Sequence, residues 1–296
     1  MIDPSIVAVV VTYQPDLDDL VRLLHALARQ VGLTVIVDNG STSDVPSCAA
    51  RFSPRHVGLI RLSKNMGVAF AQNRGIEFAR ERKAQFVLLM DQDSLPEDGM
   101  AGKLLRVAIE KKAGAVGPRY WDPRHENPPP FVRIRGLRLE RVPCPSPRAV
   151  VPVDYLISSG CLIPMTVLDH VGGMREDLFI DFVDIEWGLR ARRLGYQSYG
   201  LCGARMLHCL GHEPIELLKA KFPLHSPLRH YYHFRNAVLL SKEAWIPGSW
   251  KRINGLRMLL KYGFYSPFAS PRLDHWRMMT LGVLHGLLGR AGPFKG

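Results

Sequence analysis

The chain has 296 residues, 47% of them hydrophobic and 22% charged, which fits a folded α/β protein with ample core and excludes a disordered or fibrous one. A formal charge of +12 favours anionic partners: nucleotide phosphates, nucleic acid or an anionic membrane surface. Five cysteines (Cys48, Cys144, Cys161, Cys202, Cys209) are widely spaced without a Cys-x-x-Cys pair, which argues against a disulfide framework or structural zinc and fits a reducing cytosol.

The first 120 residues alternate short apolar strands with amphipathic helices. Strands are expected at 6–13, 34–38, 58–62, 85–90 and 113–118. Leu17, Leu20, Leu23, Leu24 and Leu27 fall at helical spacing between the first two, and residues 67–82 read as another helix. Such alternation predicts a mostly parallel, Rossmann-like sheet with helices on both faces. Right-handed crossovers then collect the loops after the strands along one edge, where such folds bind ligands. Thr12-Tyr13-Gln14, Asp38-Asn39-Gly40-Ser41 and Asp91-Gln92-Asp93-Ser94 all fall at those strand ends.

Asp91 and Asp93 are two residues apart at the end of an extended run, so both carboxylates can face one spot. Two hard oxygen donors there suit Mg2+ or Mn2+ held together with substrate phosphates. The alternative is a strand end followed by a helix, with Asp93 or Ser94 as its cap ahead of Pro96.

Residues 120–148 change character: proline clusters flank a basic stretch with Arg133, Arg135, Arg138 and Arg141, either a hairpin over the site or a surface loop. Residues 150–164 return to strand-like sequence through Ser158-Ser159-Gly160. A helix is expected from about 183 to 194, acidic at its start and basic at its end as the helix dipole prefers, with Gly195 as its stop. From about 239 onward the chain is basic and aromatic. Trp245, Trp250, Tyr262, Phe264, Phe268 and Trp276 interleave with Lys242, Lys251, Arg252, Arg257, Lys261, Arg272 and Arg277. This extension either lies on an anionic bilayer surface or packs its aromatics against the preceding domain. No apolar run reaches the roughly 20 residues needed to span a bilayer, and Asp3-Pro4 ahead of a short strand does not read as a signal peptide.

Val9-Val10-Val11-Thr12-Tyr13, Val37-Asp38-Asn39-Gly40-Ser41, Asn65-Met66-Gly67, Asn73-Arg74-Gly75 and Asp91-Gln92-Asp93-Ser94 occur in that order. With them the chain resembles the inverting family 2 glycosyltransferases of GT-A fold. Ser158-Ser159-Gly160, Phe179-Ile180-Asp181-Phe182-Val183-Asp184-Ile185-Glu186-Trp187 and Arg229-His230-Tyr231-Tyr232-His233-Phe234-Arg235-Asn236 narrow the resemblance to bacterial rhamnosyltransferases that use dTDP-L-rhamnose. It covers about residues 5 to 240. It implies a GT-A domain over 1–240, with a nucleotide-binding half (1–120) and an acceptor-binding half (121–240), followed by a helical basic extension over 241–296.

The resemblance also implies roles. Asp38 would accept the imide N–H of thymine or uracil, although turn chemistry alone also explains Asp-Asn-Gly-Ser. Thr12, Tyr13 and Gln14 would line the base pocket, with Asn39, Asn65, Gly67, Arg74 and Gln92 completing the nucleotide site. Asp91, Asp93 and His208 would hold Mg2+ or Mn2+, with His212 a weaker candidate. Arg229, Tyr232 and Arg235 would clamp the diphosphate. Ser159, Gly160, Asp181 and Trp187 would meet the sugar or acceptor, Trp187 as a stacking platform. Asp184 would be the general base. The family's Glu-Asp pair reads Val183-Asp184 here, so the Glu is missing, and Asp181, one helical turn earlier, is expected to compensate.

The expected activity is transfer of L-rhamnose from dTDP-L-rhamnose to a saccharide, lipid-linked, in synthesis of O-antigen, lipopolysaccharide or another surface polysaccharide, at the cytoplasmic face of the membrane. The rivals are the same mechanism with a UDP- or GDP-sugar, and a non-catalytic nucleotide-sugar or membrane-binding module. Nucleic acid is not an expected partner, because the basic residues are spread out and no DNA- or RNA-binding motif occurs.

Overall fold

The computed structural model describes residues 3–122, 131–136, 138–208, 215–217, 220–222 and 225–296. The first half runs β1 (Asp3–Thr12), α1 (Leu17–Ala28), β2 (Val31–Asp38), α2 (Val45–Ala49), β3 (Val57–Arg61), α3 (Val68–Glu81), β4 (Phe86–Asp91), β5 (Ser94–Pro96), α4 (Met100–Lys111) and β6 (Ala115–Trp121). Next come β7 (Phe131–Arg135), β8 (Arg138–Val142), β9 (Val150–Val153), β10 (Cys161–Pro164), α5 (Met165–Val171), a single 3-10 turn at Glu176–Leu178, α6 (Val183–Arg193) and β11 (Ser198–His208). The chain closes with β12 (Ile215–Leu217), β13 (Ala220–Phe222), α7 (Pro227–Lys242), α8 (Gly248–Phe268) and α9 (Arg272–Leu287). The five strands expected in the first 120 residues lie within three residues of their expected ends.

The main sheet has the order β3-β2-β1-β4-β10-β6-β11-β5, with β9 on the flank of β11. Strands β3, β2, β1 and β4 are parallel to one another. The sheet is more mixed than the alternation predicts, because β10 enters antiparallel between β4 and β6. Gly160 makes that entry turn at φ +78°, and a Cβ there would lie 2.5 Å from the Pro118 ring.

Burial on both faces explains why these strands read as unbroken apolar runs. On β1, Ile6, Ala8 and Val10 pack with Leu20, Leu24 and Leu104 of α1 and α4. The alternate residues Val7 and Val9 pack with α3, α5 and α6 on the other face. Helix α3 comes so close that a Cβ on Gly75 would meet Val9 at 2.1 Å.

The basic stretch forms the β7–β8 hairpin. Phe131 lies against Gly200 of β11, and the Asp154 N–H donates to the Val132 carbonyl. Cys144 and Cys202 are joined by a disulfide that ties the end of this hairpin to β11, their Cα atoms 5.6 Å apart. The expectation against disulfides drawn from cysteine spacing is corrected for this one pair, and that spacing no longer supports a reducing compartment. The partners are 58 residues apart, and only the fold brings them together.

The boundary expected at residue 240 falls inside α7. Helix α9 packs along α7 through Gly282 and Gly286: a Cβ on Gly282 would meet the Tyr231 carbonyl at 2.5 Å, and one on Gly286 would meet that of Arg235 at 2.8 Å. Among the described residues no helix is long and apolar enough to cross a membrane.

Candidate active site

Strand β4 ends in Asp91, and a two-residue turn returns the chain as β5. Ser94 is therefore a strand residue and caps no helix. Strand β5 pairs antiparallel with the end of β11, setting His208 opposite Ser94. Three buried groups fix this corner. The Asp91 N–H donates to Ser159 Oγ (3.0 Å), Ser159 Oγ lies 2.7 Å from Ser94 Oγ, and Ser94 Oγ lies 2.8 Å from His208 Nδ1. His208 Nδ1 is 3.5 Å from Asp93, and its Nε2 is 4.0 Å from Asp91. One donor atom from each of Asp91, Asp93 and His208 lies within 4.8 Å of the others.

Burial raises the pKa of Asp91, and the charge of Asp93 adds to that shift against the opposing His208. Burial disfavours a charged His208, but its hydrogen bond to Asp93 and the charges of Asp91 and Asp93 outweigh it and raise its pKa. Two carboxylates and an imidazole, strained by like charge and converging on one point, fit a divalent cation of the Mg2+ or Mn2+ kind.

Across the cleft stands the start of α6. The expected helix is present, but Phe179, Asp181 and Phe182 just before it adopt left-handed φ of 67°, 62° and 65°. Such conformations are strained for residues with side chains and persist only when the surroundings enforce them. Asn236 enforces this one: its side-chain amide donates to the carbonyls of Leu178 (2.9 Å), Ile180 (2.7 Å) and Asp181 (3.0 Å). Arg235 adds bonds to the carbonyls of Asp177 (3.2 Å) and Leu178 (2.9 Å) and to that of Gly292.

The strained segment delivers two carboxylates. Burial, then the negative charges of Asp181 and Asp91, push Asp184 up to about 6, against the Ile185 N–H that donates to it at 2.9 Å. Asp181 pairs with Arg229 at 3.2 Å. Although burial opposes its charge, Arg229 and neighbouring histidines hold its pKa below the usual value. Asp181 precedes the helix in a non-helical backbone, so the expected one-turn offset from Asp184 is corrected. Its carboxylate still faces the cleft, where it raises the pKa of Asp184.

On the remaining wall, Asn39 and Asn65 lock two loops together. Asn39 Nδ2 donates to Asn65 Oδ1 (3.0 Å), while the Met66 and Gly67 N–H groups donate to Asn39 and Asn65. Gly67 has φ +93°, and a Cβ there would lie 2.6 Å from the Phe179 carbonyl. Gln92 grips the backbone of Tyr13, accepting its N–H at 2.7 Å and donating to its carbonyl at 3.2 Å. Asp38 is fully buried; its Oδ1 accepts from the Ser41 N–H (3.1 Å) and Thr12 Oγ1 (3.4 Å). Its Oδ2 is buried without a hydrogen-bond partner, Arg61 standing 3.6 Å away.

Asp91, Asp93, His208, Asp181, Asp184, Arg229, Tyr13, Asn39, Asn65, Gly67 and Gln92 line one cleft of about 500 Å³. Other expected residues sit behind it. Thr12 and Asp38 lie beneath the Tyr13 loop, Ser159 supports Asp91, and Gly160 makes the turn into β10. Gln14 spends its side chain on Thr42, accepting the hydroxyl at 2.9 Å.

Four expected roles are corrected. Trp187 is buried, with its indole N–H on the Gly172 carbonyl, and offers no face for stacking a sugar. Arg235 is buried and committed to main-chain carbonyls. Tyr232 is buried, stacks on Phe179 and accepts the Phe294 N–H at 2.8 Å. Arg74 is not among the residues that line the cleft and pairs with Glu77 on the same helix at 3.1 Å. His212 lies outside the described residues. Ser94, His233 and Asn236 also belong to the site; each stood in a quoted motif, but none was given a binding or catalytic role.

The glycosyl transferase family 2 profile matches residues 7–162. The chain is 34% identical over 97% of its length to the dTDP-rhamnosyl transferase RfbF of Shigella flexneri, covering 97% of that protein. It is 26% identical, over 70% of its length and 76% of the relative's, to the N-acetylglucosaminyl-diphospho-decaprenol L-rhamnosyltransferase of Mycobacterium tuberculosis. In fold it is similar to the crystal structure of S. aureus TarS 1-349 in complex with UDP-GlcNAc (TM-score 0.57, 14% identity, 96% of this chain and 92% of that one). It is likewise similar to GalNAc-T7 with UDP, GalNAc and Mn2+ (TM-score 0.62, 11% identity, 96% of this chain and 56% of that one).

Proposed function

The chain belongs to glycosyl transferase family 2, and from that premise we propose that it transfers L-rhamnose from dTDP-L-rhamnose to a saccharide acceptor with inversion. The observation that carries this is the opposition, in one cleft, of the Asp91–Asp93–His208 donor set and a carboxylate, Asp184, with its pKa at about 6. The relative similar over almost the whole chain is named for the same donor.

Asp38, whose buried Oδ2 has no hydrogen-bond partner and lies 3.6 Å from Arg61, is the residue we assign to the imide N–H of thymine, an edge that uracil shares, on the strength of its place at the end of β2. Asp91, Asp93 and His208 would hold Mg2+ or Mn2+, which neutralises charge on the departing diphosphate when bound. Asp184 takes the proton of the acceptor hydroxyl as its oxygen attacks the anomeric carbon. The bond from that carbon to the diphosphate oxygen breaks, its electron pair leaves with dTDP, and the β-linked donor yields an α-rhamnoside. Arg229, held by Asp181, stands where it can attract the diphosphate.

The acceptor we assign is a lipid-linked saccharide, a precursor of surface polysaccharide such as O-antigen, met at the cytoplasmic surface of a membrane. Leu256, Leu259 and Leu260 on α8, and Leu273, Trp276, Leu284 and Leu287 on α9, are exposed. Arg252, Arg272 and Arg277 are exposed among them. Apolar side chains interleaved with cations on an outer helix face suit an anionic bilayer surface.

Calorimetric titration of dTDP, UDP and GDP, each with and without Mg2+ or Mn2+, tests the donor. Metal-dependent preference for dTDP is expected. Preference for UDP or GDP would replace the sugar but keep the transferase, and no binding by folded protein would leave a non-catalytic module.

A further inference from the structure

Next to the catalytic cleft lies a second cavity of about 70 Å³, walled by Trp250, Asn254, Arg257 and Lys261 of α8. Phe182, Ile185 and His233 line both spaces, so the small cavity adjoins the strained segment that carries Asp184. No acidic residue is among its lining.

Its polar groups are poised for an anion. Lys261 Nζ lies 2.8 Å from His233 Nε2. Burial, then Lys261, press the pKa of His233 down to about 3, so the ring is neutral and can accept from the ammonium. Among the described residues no carboxylate lies within salt-bridge distance of Lys261, and Asp181, whose charge it feels, is already paired with Arg229. Burial, then the cation Arg257, lower Lys261 to about 8, which leaves it largely charged at neutral pH. Asn254 is 7% exposed, and its Nδ2 is buried without a hydrogen-bond partner. A part-buried cation with no carboxylate at salt-bridge distance and an orphaned buried amide donor are both costly, and one anionic ligand would satisfy both.

We propose that this cavity is an anion subsite for a phosphate group of the acceptor, held by Lys261, Asn254 and Arg257, so that the saccharide attached to it reaches Asp184. The assignment rests on the transferase reading of the cleft. It makes α8 part of the acceptor site, with its exposed leucines facing outward and its cationic side facing the reaction.

The test is calorimetric titration of inorganic phosphate into the full chain, first alone and then saturated with dTDP and Mg2+ so that the donor's own diphosphate site is filled. Phosphate is expected to bind in both states. Lys261→Met, close in length but uncharged, should weaken it at least 10-fold while dTDP affinity stays within twofold. Phosphate binding that vanishes once dTDP is present would place it in the donor site and overturn the proposal. Unchanged phosphate affinity in Lys261→Met, or no phosphate binding by protein that binds dTDP, would overturn it equally. Should Lys261→Met lose dTDP binding as well, Arg257→Gln at the exposed rim takes its place. A weakening of at least threefold then supports the subsite, and wild-type affinity sinks it. Failure of dTDP to bind would instead count against the transferase reading, and the comparison of variants with phosphate alone would still decide the subsite.

Discussion

At the scale of single residues, the chemistry we propose turns on how Asp184, as its base, is kept weakly acidic. Below about pH 6 it holds the proton it has to accept, so transfer should be slow in acid and rise through about 6 to a plateau. Asp184→Asn should lower the rate about 1,000-fold and remove this limb, with dTDP affinity nearly unchanged. Transfer that survives at wild-type rate would mean another base. Asp181→Asn should move the limb to lower pH, because it removes a negative neighbour and frees Arg229. A limb that stays in place would show that Asp181 has no electrostatic hold on the base. Ser159 acts one layer back, orienting Asp91 through its N–H and His208 through Ser94. Ser159→Ala should therefore weaken Mn2+ binding about 10-fold, read by calorimetry, without altering the proposed ligands themselves.

Elements decide which of these residues meet, and here the sequence is legible only in part. Apolar runs capped by Asp38 and Asp91 mark parallel strand ends, and spacing i, i+2 puts Asp91 and Asp93 together. Nothing local announces that β10 runs antiparallel, that β5 brings Ser94 to His208, or that Cys144 meets Cys202, because each depends on pairing between distant segments. Side-chain type also misleads where one type serves two purposes. Arg235 and Trp187 look like ligand-binding residues, yet both are anchors: the Trp187 indole N–H and the terminal Arg235 N–H groups end on main-chain carbonyls, and Arg235 Nε donates to Asn236 Oδ1.

The Asn236 clamp follows the same logic. One amide serves three carbonyls of a segment held in left-handed conformations; Asn236→Ala leaves those of Ile180 and Asp181 short of a partner, while Leu178 keeps Arg235. The expected cost is about 2 kcal/mol, or about 5 °C in Tm, with a larger loss in kcat than in dTDP affinity because the segment carries Asp184. Equal losses in both would show general unfolding instead of a displaced base.

For the whole molecule, the question is why a protein with a well-packed sheet leaves its C-terminal helices so apolar outside. Helices α8 and α9 are not loosely attached: Trp250 packs edge-on to Phe182, Tyr262 bonds Thr280 at 2.7 Å, and Gly292 N–H donates to Asp177 at the base of the strained segment. Their inner sides are packed, so the exposed leucines are not left over from loose docking. Leu259 and Leu273 are 73% and 79% exposed, and their insertion into a bilayer surface recovers about 1.5 kcal/mol for each leucine fully buried. Nearby arginines add about 1 kcal/mol each on an anionic membrane, an attraction that salt screens. The protein should therefore float with vesicles rich in anionic lipid and less well with neutral ones, and raised salt should weaken binding. The double variant Leu259→Glu, Leu260→Glu should reduce vesicle partitioning on the order of 100-fold, while dTDP affinity stays as in the wild type, because neither leucine lines the cleft. Equal flotation of the variant would remove the bilayer role from this face. Loss confined to vesicles, together with slower transfer to a lipid-linked acceptor than to a soluble one, would tie the outer leucines of α8 to acceptor delivery.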